Sequence, residues 1–284
     1  MIVVVGKSGQ LACELKKLHR DFIFLGRDDI NLFDQEALNN TLSNLSPTAI
    51  INAAAYTAVD KAETESESAY ALNAEAVKLL ASYCKENHCH LVHISTDYVF
   101  QGDKGSPYLE SDSLSPLGVY GVSKAQGEKY LQEILGSDGC ILRTSWVYSS
   151  FGNNFVKTML KLMASKEQLS IVGDQIGSPT WARSLAEATV FAAQNEVKGV
   201  FHWTDLGVAS WYDFAIAIQE LAVEKGLLTD SIPLYPINTE QYPTPAKRPH
   251  YSVLDKSNTI DIFTGIDNKH WRCQLSAMLD ELKE

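Results

Sequence analysis

The first half of the chain alternates short apolar runs with amphipathic stretches. The apolar runs lack polar alternation, which is typical of strands buried on both faces. They predict strands at Ile2–Val5, Phe22–Leu25, Ala49–Ala53, Leu91–Ser95 and Cys140–Thr144. Apolar positions at helical spacing predict helices between them, at Gln10–His19, Gln35–Leu45, Ser66–Asn87 and Ser123–Leu135. Strands that alternate with helices indicate βαβ units, so we expect an α/β fold with a doubly wound, Rossmann-like parallel sheet.

The alternation breaks after about Trp146. The remaining pattern predicts helices at Phe155–Ser165, Ser184–Gln194 and Trp211–Glu224, a strand at Val200–Trp203 and proline-rich loops between Ile232 and Pro249. Ser210 is a suitable N-cap for the third of these helices. We therefore expect a dinucleotide-binding domain of residues 1–147, together with about 182–223. Residues 148–181 and 224–284 would form a smaller, discontinuous substrate-binding lobe.

Composition narrows the class of protein. The 284 residues are 45% hydrophobic and 21% charged, which suits a soluble globular protein with a sizeable core. A net charge of −11 argues against nucleic acid or a membrane surface as the main partner. The five cysteines are scattered, with neither a zinc-type nor a disulfide-type pattern. Since no leader-like or membrane-spanning segment is evident, we expect a cytoplasmic protein.

A glycine-bearing turn follows the first predicted strand. Gly6 permits a tight turn, Gly9 lets a pyrophosphate approach the backbone, and Ala12 is small enough for close helix packing. The helix that follows offers free N–H groups to an anion. An ordinary strand-to-helix turn is the alternative, but the strand–turn–helix context favours dinucleotide binding.

The second strand ends at Leu25-Gly26-Arg27, where an acidic residue for the adenosine ribose is usual. Arginine suits a 2′-phosphate instead, which favours NADPH over NADH. Asp28 and Asp29 lie next to Arg27 and keep NADH possible. A solvated Arg27 with no ligand contact also stays open.

Tyr120 and Lys124 are four residues apart and would share one face of a helix. A free phenol titrates near pH ~10, so a neighbouring ammonium is needed to lower its pKa for proton transfer. Thr96 follows the Leu91–Ser95 strand and could hydrogen-bond a substrate oxygen beside the tyrosine. The glycine-bearing turn, the threonine at a strand end and the tyrosine–lysine spacing are each common by chance. Their occurrence together, in this order along the chain, predicts hydride transfer to a small carbonyl compound.

Several segments together resemble the extended short-chain dehydrogenase/reductase superfamily and, within it, the dTDP-4-dehydrorhamnose reductase family. They include Gly6–Leu11, Asn52–Glu63, Ser95–Phe100, Tyr120–Lys124, Arg143–Tyr148, Asp174–Thr180, Ser210-Trp211 and Arg248-Pro249 with Ser252. The resemblance covers most of the chain. It implies NADPH- or NADH-dependent reduction of the 4-keto group of dTDP-4-dehydro-L-rhamnose to give dTDP-L-rhamnose.

The resemblance also implies roles for individual residues. Catalysis falls to Thr96, Tyr120 and Lys124. The residues expected around the cofactor are Gly6, Gly9, Gln10, Leu11, Arg27, Asn31, Leu32, Ala54, Ala55, Tyr56, Thr57, Tyr120 and Lys124. Those expected around a dTDP-sugar are Thr96, Asp97 and Trp146. Asn31 replaces the aspartate common in the family, which would weaken the adenine contact.

Some family members hold Mg²⁺ between glutamates at a dimer interface. Glu14 fits one such position, but Arg183 stands at another, so we predict no metal. A homodimer remains open.

Other polar and aromatic positions have simpler interpretations. We expect Trp203 and Trp211 to pack in the second lobe and Glu63, Glu65 and Glu67 to form a solvated helix start. His88, His90 and His93 are interpreted as core or surface residues rather than metal ligands.

Two other functions compete with the reductase. The first is another sugar-nucleotide enzyme of the superfamily, such as an epimerase or a talose-type dehydrogenase, since a fold does not determine the substrate. The second is a non-catalytic regulatory subunit that binds the nicotinamide cofactor. Intact Thr96, Tyr120 and Lys124 argue against the second.

Overall fold

A computed structural model describes residues 1–283 of the chain. Its strands are β1 (Ile2–Val5), β2 (Ile23–Leu25), β3 (Ala49–Asn52), β4 (His90–Thr96), β5 (Cys140–Thr144), β6 (Val147–Tyr148), β7 (Leu169–Val172), β8 (Ile176–Gly177), β9 (Thr180–Trp181), β10 (Gly199–His202), β11 (Ala209–Ser210) and β12 (Leu234–Ile237). Its α-helices are α1 (Gln10–Leu18), α2 (Gln35–Leu45), α3 (Val59–Ala62), α4 (Ser66–Tyr70), α5 (Ala76–Glu86), α6 (Val119–Leu135), α7 (Phe155–Met163), α8 (Ala182–Gln194), α9 (Trp211–Glu224), α10 (Ser257–Ile262) and α11 (Trp271–Glu281). The predicted strands and helices of the first half are thereby confirmed, with small shifts at their ends.

The central sheet has six parallel strands in the order β10-β5-β4-β3-β1-β2. This confirms the predicted Rossmann-like α/β class. The strand order reverses between β1 and β3, which creates the crevice where ligands bind in such sheets. Gly6 lies at this crevice with φ +105°, and a Cβ there would be 2.9 Å from the backbone nitrogen of Ala54. Only glycine fits so close an approach.

Both faces of the sheet are buried, and alternate residues of each strand serve opposite faces. In β1, Val4 packs with α1 and α8, whereas Val3 and Val5 pack with α2 and α5. This arrangement explains why the predicted strands show continuous apolar runs.

The predicted helix Ser66–Asn87 is confirmed as α4 and α5, joined by a π-helical turn at Ala71–Glu75. Asn73 lies in that turn, fully buried. Its side chain accepts from the backbone N–H of Tyr56 (2.8 Å) and donates to the Tyr56 carbonyl (3.1 Å). Such turns are frequent at functional sites because they redirect one side chain. Here the turn ties the loop after β3 to the neighbouring helices.

Helix α6 begins at Val119, four residues before the predicted start, so Tyr120 and Lys124 both lie on it. The reason is a cap from a distant segment: Glu63 Oε1 accepts the Val119 N–H at 2.9 Å. Glu65 Oε2 likewise accepts from the Tyr56 hydroxyl at 2.6 Å. The interpretation as a solvated helix start is therefore wrong for Glu63, whereas Glu65 and Glu67 are exposed at the start of α4, as expected.

A second hydrophobic cluster lies outside the sheet and joins α7, α9 and α11, with Val156, Phe214 and Leu275 at its centre. Helix α8 packs on the sheet instead, and β10 is an edge strand of that sheet. The sequence placed residues of about 182–223 in the dinucleotide-binding domain. Helix α9 lies within that range but buries its apolar face against α7, in the second cluster. The capping box of Ser210 on α9 is confirmed. Trp203 was expected in the second lobe, but it packs in the sheet core.

No helix within residues 1–283 is long and apolar enough to span a membrane.

Candidate active site

A cleft of about 1010 Å³ opens at the crevice between β1 and β3. Of the residues predicted to bind a cofactor, those that line it are Gly6, Gly9, Arg27, Asn31, Leu32, Ala54, Ala55 and Tyr56. Gln10, Leu11, Thr57, Tyr120 and Lys124 lie outside that lining. The side chain of Gln10 turns away to accept from Asn154 Nδ2 (2.9 Å), and that of Leu11 packs in the core.

The floor of the cleft is suited to a pyrophosphate. The N–H groups of Gln10, Leu11 and Ala12 precede the first hydrogen bond of α1, which runs from Cys13 to the Gly9 carbonyl. A Cβ added at Gly9 would meet no atom within 4 Å, so the space beside these donors is open. Gln10 and Leu11 would therefore contribute backbone N–H groups and not side chains.

The ribose end of the cleft carries an exposed arginine and an aspartate that is paired with a lysine. Asp29 Oδ2 accepts from the Gly26 N–H (2.8 Å) and from Lys7 Nζ (3.1 Å), and these two contacts lower its pKa. Arg27 lines the cleft beside this pair. Asp29 is paired with Lys7, and Asp28 is not among the residues that line the cleft, so the free charge that the lining offers at this end is that of Arg27, which suits a 2′-phosphate.

Thr96 and Asp97 lie at the carboxyl end of β4, where the register pairs Thr96 with Thr144 of β5. Thr96 Oγ1 donates to Asp97 Oδ1 at 3.0 Å and accepts from the Tyr98 N–H at 3.2 Å. Burial raises the pKa of Asp97 to about 6, although the nearby Ser252 hydroxyl and the hydrogen bond from Thr96 oppose the rise. A strand end thus holds a hydroxyl in a defined orientation.

Tyr120 reaches the same place from the first turn of α6. Burial raises the pKa of Tyr120 to about 12, and a hydrogen bond with Thr96 works in the opposite direction. The Tyr98 ring packs edge-on against it, with centroids 5.7 Å apart. The two residues whose hydroxyls the sequence indicates therefore lie close together at the sheet edge.

Lys124 lies one turn further along α6, and its side chain is 1% exposed. Its Nζ donates to the Ile94 carbonyl at 2.6 Å and lies 3.2 Å from His93 Nε2. Burial lowers the pKa of Lys124 to about 8, while Glu128 opposes that change. Within residues 1–283, no hydrogen bond joins Nζ to Tyr120, and the pKa of the phenol is raised, whereas the sequence predicted a lowered one. A buried amine donates to the nearest carbonyl, and here that carbonyl belongs to Ile94 of β4.

Trp146 adopts a left-handed backbone conformation, with φ +48°. Its ring stacks on Trp211, with centroids 3.5 Å apart and planes 5° apart. A Cβ at Gly177 would lie 2.6 Å from the indole, so that glycine leaves room for the ring. A strained backbone at a non-glycine residue is often kept for function. The stack forms an aromatic wall two residues beyond Thr144.

Several site residues carry no sequence signal of their role. Arg248 Nη2 pairs with Asp60 Oδ2 at 2.8 Å across 188 residues of chain. Asn73 Nδ2 also donates to Ser123 Oγ (3.0 Å) on α6. The spacing of His88, His90 and His93 gives no sign that His93 Nε2 lies 3.2 Å from Lys124 Nζ. Local spacing cannot reveal these contacts because each joins distant segments.

The Glu14 carboxylate is buried and already has partners. Oε1 accepts from Ser149 Oγ at 2.6 Å, and Oε2 pairs with Arg183 at 3.3 Å. Arg183 also pairs with Glu281 at 2.5 Å. In the described part of the chain, no group of three or more histidine, cysteine or acidic residues is arranged for a metal ion.

The family model described as the RmlD substrate binding domain matches residues 1–284. A dTDP-4-dehydrorhamnose reductase of Aggregatibacter actinomycetemcomitans is 40% identical over 283 residues, covering 95% of each chain. A crystal structure of a dTDP-4-dehydrorhamnose reductase from Clostridium acetobutylicum superposes with TM-score 0.93 at 36% identity, over 100% of this chain and 99% of that one. A crystal structure of a dTDP-4-dehydrorhamnose reductase from Bacillus anthracis in complex with NADP superposes with TM-score 0.91 at 32% identity, over 99% of this chain and 98% of that one.

Proposed function

The chain belongs to the RmlD substrate binding domain family, and on that basis we propose that it reduces dTDP-4-dehydro-L-rhamnose to dTDP-L-rhamnose with NADPH. The observation that carries the proposal is that Tyr120, on the first turn of α6, lies close to Thr96 at the carboxyl end of β4, beside a cleft suited to a dinucleotide. Two hydroxyls at one point can bind and protonate a single carbonyl oxygen.

The roles of the chain's residues follow from this geometry. A bound reduced nicotinamide supplies the hydride for the carbonyl carbon. Thr96 turns its hydroxyl proton from Asp97 to the 4-keto oxygen, holds that oxygen by a hydrogen bond and directs it to Tyr120. With a pKa of about 12, the phenol keeps its proton at neutral pH and can serve as the acid. In its charged form, Lys124 stabilises the phenolate that remains after the proton has left.

A different set of residues forms the surface proposed for the sugar nucleotide. Trp146 and its partner Trp211 supply a flat aromatic surface, and Asp97 lies next to Thr96. We propose that these residues hold the dTDP-sugar so that its C4 faces the nicotinamide. The exposed charge of Arg27 supports NADPH as the preferred cofactor, with NADH as the weaker one.

The decisive experiment follows the absorbance of NADPH and NADH with enzymatically generated dTDP-4-dehydro-L-rhamnose and identifies the product. We expect oxidation of NADPH and formation of dTDP-L-rhamnose. A C4 epimer of the product would indicate a talose-type dehydrogenase. Product formation without net NADPH consumption would indicate an epimerase. No turnover, together with a stable complex with a partner enzyme, would indicate a regulatory subunit.

We also propose a cytoplasmic location. The five cysteines are all free within residues 1–283, three of them buried in the core, which suits a reducing compartment. Fractionation of cells that express the chain tests this: recovery with membranes or in the culture medium would contradict it.

A further inference from the structure

His93 is a buried titratable group that the mechanism above does not use. It lies on β4 and is 0% exposed. Its Nε2 is 3.2 Å from Lys124 Nζ, and its Nδ1 is 3.1 Å from Asn52 Nδ2. The imidazole therefore joins the cofactor side of the sheet to the lysine.

The orientation of the Asn52 amide is determined by its other contact. The backbone N–H of Ala54 donates to Asn52 Oδ1 at 3.2 Å, so Nδ2 faces His93. An amide nitrogen can only donate, and His93 Nδ1 must accept. Burial lowers the pKa of His93 well below its usual value, so the ring is neutral. A neutral ring that accepts at Nδ1 carries its proton on Nε2, pointed at Lys124.

The direction of that hydrogen bond matters for the lysine. An uncharged amine can accept from His93 Nε2–H while it donates to the Ile94 carbonyl. An ammonium has no lone pair, so a donor would then face a donor. Returning the ring to the other tautomer would require the Asn52 amide to turn over. Its Nδ2 would then face the Ala54 N–H, which is also a donor.

Among the other groups around the pair, Glu128 works against His93. Glu128, one turn beyond Lys124 on α6, favours the ammonium. It is itself held by Arg143 of β5 at 2.7 Å. Tyr120 faces from the preceding turn, and β3 contributes only the uncharged Asn52. The protonation of Lys124 thus depends on a balance between Glu128 and His93.

We propose that His93 is a positioning residue for the reduction, held by Asn52 so that its Nε2–H sets whether Lys124 carries a proton. The proposal rests on the proposed function for the part played by Lys124. The Asn52–Ala54 hydrogen bond lies at the wall of the cofactor cleft, so the balance is connected to the site where the cofactor binds.

The first test reads the tautomer directly and needs no activity. Long-range ¹H–¹⁵N spectra of the ¹⁵N-labelled protein without cofactor, at about pH 9, report which nitrogen of each histidine is protonated. His93→Gln identifies the His93 signal among the seven histidines. We expect protonation at Nε2. Protonation of His93 at Nδ1 in the wild-type protein would overturn the proposal, whatever the variants do.

The second test inverts the tautomer. In Asn52→Asp a carboxylate oxygen accepts from Nδ1–H, so Nε2 becomes an acceptor for the ammonium. We expect the Nδ1–H tautomer, and the fall of kcat at high pH should move up by about one pH unit. His90→Gln, a change of another buried histidine on β4, is the control that should leave the pH profile in place.

The two proposals fail in different ways. An unchanged pH profile in a folded Asn52→Asp protein would overturn the role of His93 while the reductase activity stands. Absence of turnover in the wild-type protein would count against the proposed function, and the spectra would still decide the tautomer. If Asn52→Asp does not fold, the wild-type spectrum alone decides the proposal.

Discussion

Trp146 lies flat on Trp211, with ring centroids 3.5 Å apart, and it holds a left-handed backbone conformation to do so. Trp211 is fixed in turn by a hydrogen bond from its Nε1 to Gln175 Oε1 at 3.1 Å. The residue before strand β6 and the first residue of helix α9 thereby build one aromatic wall, although they are more than sixty positions apart. The wall stands at the sheet edge that also carries Thr96.

Removing the support of this wall should weaken sugar-nucleotide binding. In Trp211→Ala, Trp146 loses its stacking partner, and we expect KM for the dTDP-sugar to rise by about tenfold, equivalent to ~1.4 kcal/mol. KM for NADPH should stay unchanged because the cofactor cleft lies elsewhere. Steady-state kinetics with each substrate varied in turn measures both. Trp211→Phe, which keeps a stacking ring, is the control, and equal effects on both KM values would contradict the assignment.

The acid and the oxygen anchor should both be needed for turnover. Tyr120→Phe removes the proton donor and Thr96→Ala removes the hydrogen bond to the carbonyl oxygen. We expect each to lower kcat by about 10²-fold or more. Binding of NADPH, followed by fluorescence titration, should change little. Near-full turnover in both variants would show that the chemistry lies elsewhere.

Arg27 should govern the choice between the two cofactors. Arg27→Ala removes the exposed charge at the ribose end, and we expect about a tenfold rise in KM for NADPH. KM for NADH should hardly move, since NADH lacks the 2′-phosphate. Arg20→Ala, at an exposed arginine outside the cofactor cleft, is the matched control. An equal loss with both cofactors would mean that Arg27 does not contact the phosphate.

The buried lysine should leave a signature in the pH dependence of stability. Lys124 has a pKa of about 8 when folded and an ordinary value of 10.5. Between these values the unfolded chain binds more protons, so the free energy of unfolding rises with pH in that window. The contribution of this one group is about 3 kcal/mol at most, by the free energy equivalent of the pKa difference.

Lys124→Met should remove that contribution. Urea unfolding of wild type and variant at several pH values measures the difference in their free energies of unfolding. As pH rises from 8 to 10.5, we expect the free energy of unfolding of the wild type to rise by up to ~3 kcal/mol relative to that of the variant. Lys129→Met, at an exposed lysine of the same helix, should show no such change. A constant difference for Lys124→Met would contradict a lowered pKa.

The cap on α6 should couple stability to catalysis. Glu63→Ala removes the acceptor for the Val119 N–H, and we expect the free energy of unfolding to fall by about 1 kcal/mol. Because Tyr120 is the next residue, kcat should fall as well, while KM for NADPH changes little. Glu133→Ala, at an exposed position of α6, is the control. A loss of stability with unchanged kcat would show that the first turn is held by other contacts.

Local patterns determined much of this protein. Apolar runs and helical periodicity place the strands and helices of the first half, because burial on both faces of a sheet leaves no polar position within a strand. The strand–turn–helix at Gly6 and the spacing of Tyr120 and Lys124 also lie within short segments. Such features depend on residues that are neighbours in the chain, so the sequence alone predicts their chemistry.

Only the tertiary structure decided what each of these groups touches. Lys124 turns to His93 and the Ile94 carbonyl, Glu63 caps α6, and Asp60 holds Arg248. These contacts join residues 30 to 188 positions apart in the chain. Hydrogen-bond partners inside a core are set by which groups burial leaves side by side, and no local period records that.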